Sequence, residues 1–294
     1  MMNDKSLALV LEGGGVKCAY QVGALMALTE KGYTFKAISG ASFGALNGAL
    51  YIEGGVKRLF DYYTNIKTED IFVDQPLVEF VNNYNGEREN FTNAYLGFLK
   101  EHFGTSFNDR DKISEHYQHY VAHLVNEKAV NDSPIDFMFS VLEVNNSPLI
   151  LPMIIGAYFS RNFAPLQLLF SNGSIKPKII NKVDCSVGTL PRYVAASANY
   201  PFFNPINVED SYYLDGGITN NVPYQALLDN GYDKMIIIRT KSDELQGKIP
   251  QNDNILQIIP SENLGSSLYF THDNIMELIK LGYTDAMNVI NQNN

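Results

Sequence analysis

The sequence predicts an α/β fold with mainly parallel strands. Two short apolar runs, residues 7–11 and 37–38, each lead into a glycine-containing turn, and a helical pattern over residues 16–31 separates them. A third apolar run, Lys234–Thr240, follows near the C terminus. Strands that alternate with helices through short connections run parallel and are joined by right-handed crossovers.

The N-terminal helices follow from apolar spacing and glycine stop signals. Apolar side chains recur at helical spacing over residues 16–31, and Gly32 marks the end. A second helix is predicted from about Phe43 to about Glu53, where Gly54-Gly55 closes it. These helices would cover the first two strands.

The middle of the chain has a different pattern. Residues 56–135 mix aromatic and charged side chains at helical periodicity, which predicts a helical insertion. Residues 137–144 then predict a buried strand. Residues 149–170 are strongly apolar but too interrupted to span a bilayer. We interpret them as core or acyl pocket, in preference to a membrane-touching lid.

The last third returns to alternating strands and helices. Asn221 is predicted as a helix N-cap, with Pro223 in the first turn, where proline is tolerated. The other predicted elements are a short helix over 191–199, a strand at 212–214, a buried strand at 234–240 and a terminal helix over 273–290.

The composition is that of a folded domain rather than a disordered or nucleic-acid-binding chain. The 294 residues are 45% hydrophobic and 18% charged, and we expect one domain over residues 1–294. A net charge of −10 disfavours nucleic acid and gives no attraction to anionic lipid. A transient contact with a membrane surface would therefore be apolar or use a local patch.

The N-terminal residues and the cysteine content favour the cytoplasm. Residues 1–6 are polar and do not resemble a secretory signal peptide. The two cysteines, Cys18 and Cys185, provide neither a disulfide framework nor metal-ligand spacing. We expect a cytoplasmic protein, with peripheral membrane contact as the alternative, and no metal or cofactor.

The turn Gly40-Ala41-Ser42-Phe43-Gly44 has the form G-x-S-x-G. This is the nucleophile elbow, in which a serine sits on a tight strand-to-helix turn and flanking glycines allow close backbone approach. Upstream, Gly13-Gly14-Gly15 can present backbone N–H groups to a developing oxyanion. Together they predict a serine hydrolase; the alternative is a strand–helix turn with an incidental serine.

Nucleotide binding fits the glycine loop poorly. A P-loop requires Gly-Lys followed by Ser or Thr, whereas Lys17 is preceded by Val16 and followed by Cys18. A dinucleotide fingerprint requires glycine at position 18 and a later acidic residue, but residues 32–41 contain neither Asp nor Glu.

Histidine is one candidate base for Ser42. His116, His119 and His123 share a helix face, which suggests either a metal site or a solvated surface; no accompanying ligand favours the metal. His272 follows Asp215 in the chain, as a Ser…Asp…His triad would require.

Asp215 is the other candidate base. It follows a predicted strand and precedes Gly216-Gly217, so a serine could approach it closely. An ordinary aspartate is a weak base at pH 7, and burial beside Ser42 would have to raise its pKa. The alternative is a routine turn aspartate.

Three ordered motifs resemble those of the patatin-like phospholipase family, in particular its small bacterial members. They are Gly13-Gly14-Gly15-Val16-Lys17, Gly40-Ala41-Ser42-Phe43-Gly44 and Asp215-Gly216-Gly217. The resemblance covers roughly residues 6–55 and 180–290. Cys18 departs from it, since the family's first motif usually carries glycine there; we expect tight packing of this side chain rather than lost chemistry.

The resemblance implies a three-layer α/β/α sandwich and metal-free hydrolysis of lipid acyl esters. Ser42 would be the nucleophile and Asp215 the base, without a histidine. Backbone N–H groups of Gly14 and Gly15, beside Gly13, would form the oxyanion hole. The alternatives are a catalytically idle regulatory or lipid-binding protein on this fold, and an α/β-hydrolase-type esterase or thioesterase with a full triad, for which the elbow comes early in the chain.

Overall fold

A mixed sheet with helices on both faces organises the protein. The computed structural model describes residues 6–72, 74–102, 110–145, 150–160, 162, 164–200, 203–240, 249–250 and 253–293. Within them the strands are β1 Ser6–Leu11, β2 Thr34–Ala41, β3 Asp136–Val144, β4 Ile175–Asn181, β5 Ile206–Val208, β6 Ser211–Asp215, β7 Met235–Ile238 and β8 Ile255–Ile258.

The helices lie between these strands, except the last one, which follows β8. They are α1 Ala19–Glu30, α2 Phe43–Asn65, α3 Thr68–Ile71, α4 Gln75–Asn83, α5 Phe91–His102, α6 Arg110–Leu124, α7 Glu127–Asp132, α8 Ile150–Ser160, α9 Ala164–Ser171, α10 Leu190–Ser197, α11 Tyr224–Asp229 and α12 His272–Asn293. Short 3-10 turns include Gly15–Cys18, before α1, and Gly216–Ile218, after β6.

The sheet has the strand order β5-β6-β3-β2-β1-β7-β8, with β4 also paired to β3. The pairs β1–β2, β2–β3, β1–β7 and β7–β8 are parallel. The pairs β3–β4, β3–β6 and β5–β6 are antiparallel. The prediction of an α/β fold with a mainly parallel sheet is thus confirmed.

Successive side chains of a strand point to opposite faces of the sheet, so apolar residues lie on both faces. On β1, Leu9 and Leu11 join the large core that also contains residues of α1, α2 and α12. Ala8 and Val10 point the other way and pack with Leu227 of α11. Helices therefore cover both faces, which makes the three layers.

A separate apolar cluster lies where β3 and β6 pair. Leu142 of β3 and Leu214 of β6 pack there with Ile154 of α8 and Leu169 of α9. The predicted apolar segment 149–170 thus forms two helices on the sheet; its residues 149, 161 and 163 lie outside the described residues. In the part of the chain that the structure describes, no helix is long and apolar enough to cross a bilayer.

Several elements differ from the sequence prediction, among them the short strands β5 and β8, which were not predicted. The second helix does not end at Glu53 but continues to Asn65 through a kink, because Gly54 and Gly55 adopt non-helical backbone angles. The strand β4 was not predicted at all, because its proline and lysines break the apolar alternation. Proline is tolerated at such a sheet edge, where one side of the strand needs no partner.

Candidate active site

The carboxyl ends of two strands meet on one edge of β3. Strand β4 pairs with β3 over residues 138–144, so it occupies the opposite edge along that length. On the remaining edge, Ala41 at the end of β2 pairs with Ser140, while Asp215 at the end of β6 pairs with Val141. Strand β6 therefore stops where β2 stops, and Ser42 follows Ala41 directly opposite Asp215.

Ser42 occupies a strained turn between β2 and α2. Its φ of 54° and ψ of −133° lie in a region that residues other than glycine rarely adopt. Close backbone packing surrounds it, because a Cβ on Gly44 would lie 2.2 Å from the carbonyl oxygen of Leu11, and one on Gly40 would lie 2.5 Å from that of Gly44. The glycines of the motif let the turn pack against β1.

Neighbouring serines anchor this turn. The Ser42 N–H donates to Ser197 Oγ at 3.0 Å, and the Ser197 hydroxyl donates to the carbonyl oxygen of Ser140 at 2.7 Å. Ser197 lies on α10 and is fully buried. This relay ties the turn to β3, so the position of the Ser42 side chain is fixed through its own backbone.

The Ser42 hydroxyl contacts Asp215 directly. Ser42 Oγ donates to Asp215 Oδ2 at 2.7 Å, and the Gly217 N–H donates to Asp215 Oδ1 at 2.7 Å. Both side chains are buried. Burial raises the pKa of Asp215 from 3.8 to about 7, and the hydrogen bonds from Ser42 and Gly217 offset part of that rise. A carboxyl group with this pKa is suited to general-base work near neutral pH.

The raised pKa of Asp215 has a consequence for stability. The folded protein binds the Asp215 proton more tightly than the unfolded chain does. This tighter binding adds to the free energy of unfolding in full below about pH 4, and the contribution is lost as the pH rises to about 7. We expect Asp215→Asn to be more stable than wild type, with the difference growing by up to about 3 kcal/mol between pH 5 and pH 8. Urea unfolding at both pH values measures this; an equal difference at both would contradict it.

The glycine loop runs beside Ser42. A Cβ on Gly13 would lie 2.8 Å from Ser42 Cβ, so the loop approaches the turn through bare backbone. The Gly13 N–H donates to the carbonyl oxygen of Asn221 at 3.2 Å and is therefore engaged. The N–H groups of Gly14 and Gly15 donate to no acceptor in the described part of the chain. These two groups are the ones that an oxyanion could use.

The other residues of the three motifs have supporting positions. Lys17 is in the 3-10 turn, and its N–H donates to the Gly14 carbonyl oxygen at 3.2 Å. Cys18 is fully buried, its thiol contacts the Glu12 carbonyl oxygen at 3.5 Å, and burial raises its pKa well above the usual value. A Cβ on Gly216 would lie 2.1 Å from the Ser140 carbonyl oxygen.

The histidines lie elsewhere. His272 is exposed at the first residue of α12, and the structure does not bring it into the contact between Ser42 and Asp215. On α6, the ring centroids of His119 and His123 lie 3.8 Å apart with the rings tilted by 42°, and His116 Nε2 lies 3.2 Å from the carbonyl oxygen of Asp70. Among the described residues, no three His, Cys, Asp or Glu side chains form a group that could hold a metal ion.

The contacts of three polar residues with the glycine loop were not predicted from the sequence. Asn221 is not the N-cap that was predicted, because α11 begins at Tyr224 and the Asn221 amide donates to the Gly13 carbonyl oxygen at 3.2 Å. The Thr240 hydroxyl donates to the same oxygen at 2.6 Å. Glu12 is fully buried beside them. The one sequence signal for these contacts was Glu12, an acidic residue between an apolar strand and the glycine loop.

Sequence comparison assigns the chain to a family. A model of the patatin-like phospholipase family matches residues 9–228, which is more than half of the chain. Lysophospholipase nte1 of Aspergillus terreus (strain NIH 2624 / FGSC A1156) is 51% identical over 47 residues, 16% of this chain and 3% of that protein. Patatin-like phospholipase domain-containing protein 7 of Mus musculus is 47% identical over 53 residues, 18% of this chain and 4% of that protein. The chain thus matches only a small part of the length of these curated relatives.

Structural comparison agrees at the level of the fold. The crystal structure of VipD from Legionella pneumophila superposes with a TM-score of 0.51 at 14% identity, covering 98% of this chain and 67% of that one. At this identity the likeness concerns the fold alone. The family model and the shared fold lead to one assignment: the chain belongs to the patatin-like phospholipase family.

Proposed function

We propose that the protein is a serine hydrolase that cleaves lipid acyl esters, with Ser42 as nucleophile and Asp215 as its base. The observation that carries the proposal is the 2.7 Å hydrogen bond from Ser42 Oγ to a buried carboxylate whose pKa is about 7. A serine needs an adjacent base within hydrogen-bond reach to attack an ester, and this contact meets that requirement without a histidine.

The reaction would proceed in two steps. Asp215 takes the Ser42 proton as Oγ attacks the ester carbonyl carbon, and the N–H groups of Gly14 and Gly15 stabilise the oxyanion. The C–O bond to the alcohol then breaks, and the protonated Asp215 gives its proton to the leaving alkoxide. Water, deprotonated by Asp215, attacks the acyl-enzyme; its proton returns to Ser42 as the fatty acid leaves.

The substrate class rests on family membership and on the names of the curated relatives. One relative is named a lysophospholipase and another a patatin-like phospholipase domain protein. A phospholipid or lysophospholipid would reach this acidic protein by apolar contact, since the net charge of −10 repels anionic lipid. Leu168 and Phe170 on α9 are exposed apolar side chains that could supply such a contact.

A panel of acyl esters tests the proposal. Purified protein is incubated with a phospholipid, a lysophospholipid, a triacylglycerol and an acyl thioester, and free fatty acid is measured. We expect fatty acid release from at least one glycerophospholipid, at a rate unaffected by EDTA. Release that requires added Zn²⁺ or Ca²⁺, or the absence of release from every ester, would contradict the proposal.

The pH dependence follows from Asp215. Only the ionised carboxylate accepts the Ser42 proton, and its pKa in the folded protein is about 7. We therefore expect kcat/KM to rise tenfold per pH unit below about pH 7 and to level off above it, because kcat/KM reports the free enzyme's essential base. A flat profile between about pH 5 and pH 8 would show that a group with an ordinary carboxyl pKa is the base.

A further inference from the structure

Three hydrogen bonds hold Gly13 in the glycine loop, two of them on its carbonyl oxygen and one on its N–H. The Gly13 carbonyl oxygen accepts from Thr240 Oγ1 at 2.6 Å and from Asn221 Nδ2 at 3.2 Å. On the preceding peptide, the Gly13 N–H donates to the Asn221 carbonyl oxygen at 3.2 Å. Both side-chain donors to this carbonyl come from segments more than 200 residues away in sequence.

An ion pair between Arg239 and the fully buried Glu12 holds one of these donors in place. Glu12 Oε2 accepts from the Thr240 N–H at 2.6 Å and from Arg239 Nε at 2.8 Å. Glu12 is fully buried, and Asn221 Nδ2 lies 3.5 Å from its Oε1. A buried carboxylate is tolerated only where it is paired and hydrogen-bonded, as it is here. Glu12 thereby fixes the backbone at residue 240, from which the Thr240 hydroxyl reaches the loop.

The sheet explains why these residues meet. Strands β1 and β7 are parallel neighbours, and Leu11 at the end of β1 pairs with Ile238 at the end of β7. The residues that follow, Glu12 and Arg239, therefore leave the sheet side by side. Carboxyl ends of parallel strands gather at one edge, which is where α/β proteins place their sites.

The restrained carbonyl determines where the next N–H points. The Gly13–Gly14 peptide is trans, as is every described peptide bond, so the Gly14 N–H points away from the side on which Thr240 and Asn221 bind the carbonyl. Donation to a peptide carbonyl also polarises the N–H of the same peptide and strengthens it as a donor. The Gly14 N–H is one of the two donors available to an oxyanion.

We propose that Thr240 and Asn221 are positioning residues for the oxyanion hole. They fix and polarise the Gly13–Gly14 peptide. Glu12, paired with Arg239, keeps the Thr240 hydroxyl within hydrogen-bond distance of the Gly13 carbonyl oxygen. In this proposal neither side chain contacts the ester, and each acts through the Gly14 N–H. The inference rests on the proposed function, because it assigns a purpose to the loop only if an oxyanion forms beside Ser42.

The test removes the Thr240 hydroxyl while keeping its shape. Direct loss of an oxyanion donor typically costs 10²–10³ in kcat, so weakening one should cost less. We expect Thr240→Val to lower kcat by about 10-fold with KM within about twofold, and to slow fluorophosphonate labelling of Ser42 in parallel. The midpoint of the pH profile should stay in place, because Asp215 is untouched. Thr240→Ser, which restores the hydroxyl, should recover most of the rate.

A matched control separates positioning from a general packing defect. Thr68 is also buried, and its hydroxyl donates to the carbonyl oxygen of Phe270 at 3.0 Å rather than to the glycine loop. Thr68→Val should lose stability without a change in kcat. If Thr240→Val does not fold, Asn221→Ala removes the second donor to the same carbonyl, and the same fall in kcat is expected.

The outcomes distinguish this proposal from the function it rests on. If wild type hydrolyses esters through Ser42 but Thr240→Val and Asn221→Ala both retain kcat within about twofold, the positioning role is wrong and the function stands. Equal losses in Thr68→Val and Thr240→Val would also overturn it. If Ser42→Ala is as active as wild type, the function itself fails.

Discussion

Replacing Asp215 by Asn should lower kcat/KM by about 10²–10⁴, the usual contribution of a general base. The substitution keeps the shape and an oxygen for the Gly217 N–H, but the amide nitrogen that replaces one carboxylate oxygen cannot accept the Ser42 proton. Measurement of kcat/KM at about pH 8, where the carboxylate is ionised in wild type, gives the full effect.

A second buried aspartate provides the control. Asp285 accepts hydrogen bonds from Tyr20 and from Ser261, and it lies on α12 rather than at the sheet edge beside Ser42. Asp285→Asn should reduce stability but leave kcat/KM within about threefold. Equal losses of activity in the two variants would mean that Asp215 acts only through the fold.

Ser42→Ala should abolish ester hydrolysis and fluorophosphonate labelling, with a fall in kcat of more than about 10³. The Ser42 N–H can still donate to Ser197 Oγ, so the turn should keep its structure. Ser39→Ala is the matched control: Ser39 is a buried serine on the same strand whose hydroxyl donates to the Pro223 carbonyl oxygen at 3.0 Å. Labelling that persists in Ser42→Ala would identify a different nucleophile.

The sheet and the main elements could be predicted because their signals are local. Apolar runs such as Met235–Ile238 and the glycines around Ser42 specify a strand and a strand-to-helix turn within a few residues. The prediction that Gly54-Gly55 ends a helix was wrong in detail, because glycine permits a kink as readily as a stop. The chain resumes the helix beyond the kink, with buried Leu59 and Tyr63 in the main core.

The supports of the glycine loop could not be predicted because they depend on strand order. Glu12 lies more than 200 residues from Asn221 and Thr240 in sequence, and it meets Thr240 because β7 pairs with β1. Asn221 was interpreted as a helix cap since Asn before Pro is a typical local signal, yet its amide reaches the loop instead. The roles of Ser42 and Asp215 stay predictions that rest on their contact.

The central claim is that Asp215 alone takes the Ser42 proton, and His272 provides the most direct test. We expect kcat/KM of His272→Ala to remain within about threefold of wild type, roughly 0.7 kcal/mol of barrier, since this side chain is exposed at the start of α12. Asp215→Asn should lose about 10²–10⁴, and the double variant should match Asp215→Asn within that same factor. A folded His272→Ala enzyme as inactive as Asp215→Asn would contradict the account, because members of a triad fail together.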